Sequence, residues 1–250
     1  MIFSENVPEV VELVDGLKIG KFYVSGHSCG GVLAMQIAAA QPERVLGLAV
    51  ISSPGNIFNP SLSKADRKMH DPEGNASVID SNGCMGAIVR KLMDGTYYHP
   101  DKSKDFGFAG GGGFGGFKYY IGKETGGCPN AMLSDHYFVS KILDAELHGS
   151  NTSSGMLHEM RGVWSHDGWS YDITRIKCPT FVYGELDGEV PTLMHKLTHK
   201  LIPGSELILW QAHGHLSIAM EVGGIFAALV QGKSFPGDYG AAENWNLAKK

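Results

Sequence analysis

Nothing in this 250-residue chain is both long and apolar enough to span a bilayer: the most apolar run, VLGLAVIS at 45–52, falls far short of the roughly twenty residues a helical span needs. The N-terminal stretch MIFSENVPEVVELV lacks the basic segment and apolar centre of a secretion signal, so a cytoplasmic location is expected. Two N-x-[ST] tripeptides, at Asn75 and Asn151, carry no weight without such a signal. Cysteine is sparse as well. Cys29, Cys84, Cys128 and Cys178 stand far apart with no C-x-x-C pair, which points to neither a zinc site nor a disulfide framework and favours a reducing compartment. Basic residues are not in excess, since 21 Lys and Arg against 26 Asp and Glu leave a formal net charge of -5. A nucleic-acid partner is therefore not expected, and a small-molecule substrate fits better. Internal repeats are lacking too.

What is present reads as a globular domain, with 43% hydrophobic and 19% charged residues in a length that allows one core plus an inserted subdomain. VPEVVELVDGL places Val7, Val10, Val11, Leu13, Val14 and Leu17 at roughly helical spacing. KFYVSG at 21–26 and RVLGLAVISSPG at 44–55 read as buried parallel strands, and the small apolar residues at 30–41 between them as a helix that stops before Pro42. The alternation returns late in the chain. CPTFVYGELDG is a strand and loop, PTLMHKLTHKLI a helix, SELILWQAHGH a strand and loop, and LSIAMEVGGIFAALVQG a helix. The expected fold class is thus α/β, a parallel sheet of about four recognisable strands. The domain reading is a first core part over 1–55, a mostly helical cap insertion over 56–173, a second core part over 174–232, and an aperiodic tail over 233–250.

Gly26-His27-Ser28-Cys29-Gly30 fits G-x-S-x-G, entered by a strand and left by a helix. A side chain on so tight a corner needs a strained backbone and neighbours without side chains, which Gly26 and Gly30 are expected to supply. The helix N-terminus and the Cys29 backbone N–H would then stabilise negative charge on a substrate oxygen. A serine is a poor nucleophile without a base, so a histidine and an orienting carboxylate must come from elsewhere. Asp187 follows one late strand and His215, 28 positions on, follows the next. In a parallel sheet those loops gather on the edge that holds Ser28.

With these residues the sequence resembles the α/β-hydrolase superfamily. YVSGHSCGG is similar to its nucleophile elbow, FVYGELDGEVP to its acid loop and LWQAHGHLS to its histidine loop, over about 5–55 and 174–232. The resemblance implies Ser28 as nucleophile, His215 as general base and acid, and Asp187 as the residue that orients the imidazole. It implies no metal or organic cofactor, and a serine hydrolase acting on an ester or related acyl bond. The serine also argues against members that use an aspartate nucleophile. His215 is preferred to His213 because the family pattern has a glycine before the histidine, as Gly214 is here. Glu185 and Glu189 read as solvated loop charges, and the SSPGNIFNP loop, another place where the family puts its acid, offers no carboxylate.

Other patterns point elsewhere and are weaker. His195 and His199 share a helix face but lack the glutamate of H-E-x-x-H, so an exposed face is expected rather than zinc. His27 lines the pocket or packs. Gly111, Gly113 and Gly116 spell G-x-G-x-x-G within a glycine run that no strand precedes, and the residues around Gly122 fail the P-loop pattern. A flexible cap loop is the better reading. Phe106, Phe108, Phe114, Tyr119, Tyr120 and Trp169 form an apolar substrate pocket or the cap's own core. Finally, the family pattern has several strands before the nucleophile, whereas Ser28 has 27 residues ahead of it. About four strands and a second oxyanion donor are thus expected to be missing, and β pairing would be open beside the elbow strand. Two readings follow: a fragment of a longer hydrolase, or a hydrolase-like protein that binds without catalysis.

Overall fold

The computed structural model describes residues 3–70, 169–186, 190–211, 215, 218 and 221–236. The first part runs α1 (Phe3–Gly16), β1 (Phe22–His27), α2 (Cys29–Ala40), β2 (Val45–Ile51) and α3 (Lys64–His70). The second runs through a 3-10 turn (Ile173–Arg175), β3 (Thr180–Glu185), α4 (Thr192–Leu201), β4 (Glu206–Trp210) and α5 (Val222–Val230). Most of the expected cap, including its glycine run and all its named aromatics except Trp169, lies outside the described residues, as does the tail beyond Pro236.

The four strands form one parallel sheet in the order β1-β2-β3-β4, in agreement with the expected fold class. Helices cover both faces, so the central strands read as continuous apolar runs instead of alternating ones. Leu48, Val50 and Val182 join the cluster built with α2 and α4, whereas Ala49, Ile51, Phe181 and Tyr183 join the one built with α5. The successive residues of β2 thereby feed two cores. Full burial of side chains such as Leu48 and Ile51 contributes about 1.5–3 kcal/mol each.

Helix α2 is buried almost all round, since Val32, Met35, Ile37 and Ala38 face the sheet or α1, and its small residues permit that double contact. Helix α1 is amphipathic, with Val7 and Val14 buried and Leu13 exposed, as is Leu17 just beyond its end. Its C-terminal end is tied down by Arg44, which pairs with Asp15 at 2.8 Å and donates to the Ile19 and Gly20 carbonyls.

Several boundaries differ from the sequence reading for local reasons. β2 stops at Ile51, not near Gly55, because Ser52 takes a left-handed φ of 44°. α5 starts at Val222, and Ile218 before it is fully buried in the second core. Ser234 and Phe235, at the start of the aperiodic tail, are docked: Ser234 donates to Glu206, the Phe235 N–H to the Tyr183 hydroxyl, and the Phe235 ring lies edge-on to Trp210. Trp169 packs into the main core beside Ile173.

Candidate functional site

Ser28 connects β1 directly to α2, with φ 56° and ψ -131°, a conformation that side chains rarely adopt. Neighbouring main chain holds it there, since its N–H donates to the Ile51 carbonyl at 2.9 Å and its carbonyl accepts from Gly31. Glycine is required at two adjacent places. A Cβ on Gly26 would stand 2.2 Å from the Gly30 carbonyl oxygen, and one on Gly31 would stand 2.5 Å from the Ser53 side chain. The expectation for Gly30 itself is corrected, because a Cβ there would meet nothing within 4 Å. Its carbonyl is the wall that Gly26 must clear. Cys29 begins α2, so its N–H belongs to the first helical turn, where partial positive charge concentrates.

His215 is brought to this corner. Its Nε2 lies 3.0 Å from Ser28 Oγ, and its side chain is 8% exposed. His213 lies outside the described residues. On the other side of the ring, Nδ1 is 2.6 Å from Ser52 Oγ, which is itself 2.7 Å from Glu185 Oε1. The direct distance from Nδ1 to Glu185 Oε1 is 3.5 Å. Parallel register explains the meeting: His27 pairs with Ile51, Ile51 with Tyr183 and Glu185 with Trp210, so β1 to β4 end along one edge. Ser28, Ser52, Glu185 and the His215 loop all sit at those C-terminal ends.

The structure corrects the reading of Glu185 as a solvated charge. It is the last residue of β3, and its side chain is fully buried. Burial alone would raise its carboxyl, but the neighbouring His195, His215 and Ser52 outweigh that and hold it well below the usual carboxylate range. His195 is likewise buried, contrary to the exposed face expected for it, and its Nε2 lies 3.4 Å from Glu185 Oε2. His199 turns to a different partner, Ser205 Oγ at 3.0 Å. Asp187 and Glu189 lie outside the described residues.

Charge fixes the direction of these hydrogen bonds. An ionised carboxylate can only accept, so Ser52 gives its proton to Glu185 and turns a lone pair to His215. Nδ1 therefore carries the ring proton. Nε2 is left free to accept the Ser28 hydroxyl proton, which is the tautomer a general base needs.

His27 holds the histidine loop from below. Its Nε2–H donates to the His215 carbonyl at 2.8 Å, and the two rings lie 4.7 Å apart. Burial first, and then the nearby His215, push the His27 imidazole below its ordinary value of 6.5. Sequence reasoning left Ser52, Glu185 and His195 out of the site. One signal for Ser52 was its place, immediately after β2 as Ser28 is immediately after β1.

Known proteins resemble this chain in part of its sequence and in its fold. Residues 8–72 match a family model described as alpha/beta hydrolase fold. The curated dihydrolipoyllysine-residue acetyltransferase component of the acetoin cleaving system of Pseudomonas putida is 41% identical over 46 residues, a stretch that is 18% of this chain and 12% of that protein. Among solved structures, an alpha/beta fold family hydrolase from Bacillus anthracis str. Sterne is similar at a TM-score of 0.54 and 14% identity, covering 92% of this chain and 74% of that one. Est816, described as an N-acyl homoserine lactone degrading enzyme, gives 0.50 and 20%, with 92% and 74% covered. The enol-lactonase from Burkholderia xenovorans LB400 gives 0.51 and 15%, with 93% and 73% covered. At these identities the solved structures speak for the fold, and the family model speaks for the elbow. The chain has the α/β-hydrolase fold, and residues 8–72, which hold the elbow, are similar to the family of that name.

Proposed function

We propose that the chain is a serine hydrolase that cleaves an ester or related acyl bond. The carrying observation is the 3.0 Å contact between His215 Nε2 and Ser28 Oγ at the end of a strained elbow. His215 removes the hydroxyl proton as Oγ attacks the carbonyl carbon, and the carbonyl oxygen takes up the electron pair. The Cys29 N–H and the start of α2 stabilise that oxyanion. The imidazolium then protonates the leaving alcohol, which departs and leaves an acyl group on Ser28. Water, deprotonated by His215, attacks the acyl carbon; the bond from that carbon to Ser28 Oγ then breaks, the imidazolium returns its proton to Oγ, and the acid leaves.

Two carboxylates are proposed to stabilise the imidazolium. Asp187 keeps the role that the resemblance assigns to it, and Glu185 reaches the same ring nitrogen through Ser52. Loss of reaction in Asp187→Asn alone assigns the charge to Asp187, loss in Glu185→Gln alone assigns it to Glu185, and loss in both makes the pair act together.

The test is exposure of the purified chain to a fluorophosphonate, followed by peptide mapping, with Ser28→Ala as control and circular dichroism to confirm folding. An adduct on Ser28 supports the reading, and ester turnover is then screened. Lactones join that screen because two structures sharing the fold are named for lactone cleavage. A folded, unlabelled chain overturns it and leaves the alternative of a hydrolase-like protein that binds without catalysis.

A further inference from the structure

We propose that His195 is a positioning residue of this site, whose Nε2–H holds Glu185 Oε2 so that Oε1 stays on Ser52 and behind His215. The two oxygens of Glu185 face opposite ways. Oε1 accepts from Ser52 at 2.7 Å and from the Val190 N–H at 3.3 Å, and it faces His215 Nδ1. Oε2 has no hydrogen-bond partner among the described residues and faces His195 Nε2 at 3.4 Å. Both side chains are 0% exposed. A buried carboxylate oxygen left unpaired is costly, and the donor that meets it fixes the rotation of the group.

A second observation, independent of that distance, shows that the backbone makes room for the ring. A Cβ on Gly184, the residue before Glu185, would fall 2.1 Å from the His195 ring. The imidazole lies where any side chain at 184 would begin. Carboxylate and clamp are thus placed by adjacent residues of β3. Neither ring nitrogen makes a hydrogen bond of regular geometry among the described residues, and Nε2 is the one that faces a carboxylate oxygen, at 3.4 Å. The titratable groups around Glu185 among the described residues are His195 from α4, His215 from the loop after β4, and His27 from the end of β1.

This distinction between ring nitrogens supplies the test. A glutamine amide nitrogen reaches the place of Nε2, whereas an asparagine amide nitrogen reaches only that of Nδ1. The pH titration of the His215 Cε1–H resonance, assigned with His215→Gln, is followed in wild type, His195→Gln and His195→Asn. Glutamine is expected to keep the midpoint of wild type, and asparagine to lower it by about one pH unit, because the negative charge that favours the imidazolium is no longer held in place. Glu185→Gln keeps the shape, removes the charge and is expected to lower the midpoint in the same direction, which decides the matter if the asparagine variant does not fold. A midpoint unmoved by Glu185→Gln, or identical in the glutamine and asparagine variants, overturns the proposal.

The resonance is read without substrate, so this outcome is separate from that of the hydrolase reading on which the role of His215 as base rests. Where Ser28 is labelled, the labelling rate is expected to fall about tenfold in His195→Asn and to stay near wild type in His195→Gln.

Discussion

Ser52 Oγ stands between two groups of the site, 2.6 Å from His215 Nδ1 and 2.7 Å from Glu185 Oε1. A hydroxyl there donates to the carboxylate and accepts from the ring, so it passes the orientation of one to the other without carrying a charge. Removing it separates orientation from charge, because Glu185 remains while its link is lost. Ser52→Ala is expected to slow fluorophosphonate labelling of Ser28 by about 10²-fold, at the low end of a general base's contribution. It also leaves buried groups unpaired, at about 1–3 kcal/mol of stability in urea unfolding. Ser52→Gly removes the same hydroxyl but relieves the φ of 44°. An equal labelling defect with a smaller stability loss is the expected contrast, and a glycine variant that labels at the rate of wild type would remove Ser52 from the site.

Gly26 is closed to any side chain, since the obstruction is the Gly30 main chain and not a movable group. Gly26→Ala is expected to cost about 3 kcal/mol, the upper part of the range for overpacking, and to abolish labelling of Ser28 even where the chain still folds. Gly30→Ala has open space and is expected to remain within about 0.5 kcal/mol of wild type beyond the ordinary helical gain from alanine. Urea midpoints and labelling of the two variants side by side check the pair.

His27 acts through the main chain of His215. His27→Leu removes the donor to the His215 carbonyl and is expected to lower stability by about 1 kcal/mol and labelling by about tenfold. His27→Gln, which keeps an N–H of similar reach, is expected to recover most of both. If leucine and glutamine variants behave alike, the ring's role is packing against His215 and not donation.

Acid should weaken the fold in two steps of the same sign. The folded-state His27 lies below its ordinary 6.5, so the unfolded chain takes up that proton first and stability falls as pH drops through and below 6.5. Glu185 in the fold lies below its ordinary 4.5, so its contribution is fully present above that value and is lost as pH falls toward the folded one. Chemical denaturation from pH 7.5 to pH 3 is expected to show both declines, with the upper one flattened in His27→Gln and the lower one in Glu185→Gln. An unchanged lower limb in Glu185→Gln would show that the carboxylate is not the group being titrated.

The parallel sheet and the meeting of Ser28 with His215 were legible because they rest on patterns that survive in one dimension. Apolar runs ended by Ser-Pro-Gly or Gly-Glu mark strands, and a glycine-flanked serine marks a corner. Glu185 was misread for a physical reason: a carboxylate beside a loop motif looks solvated, and only the third dimension shows Ser52 and His195 closing over it. His195 was misread in the same way, because a helix of mixed polarity does not declare which face meets a glycine of the neighbouring strand. Ser52 was passed over in a search for a charge, although the site uses a neutral hydroxyl at that place. The difference between Gly26 and Gly30 is likewise invisible in the motif, which treats both ends alike.

The two strained serines share one more property. Ser28 N–H is bonded to Ile51 and Ser52 N–H to Tyr183, so each is fixed by the strand beside its own. Neither conformation can exist until its neighbour has paired in register: a slip between β1 and β2 would dismantle the Ser28 corner, and one between β2 and β3 the Ser52 corner. The Ser28 corner, read through the labelling proposed for its hydroxyl, is therefore a clock for refolding. Its appearance, followed by pulse labelling after dilution from denaturant, is expected to coincide with the pairing of β1 and β2 and never to run ahead of it.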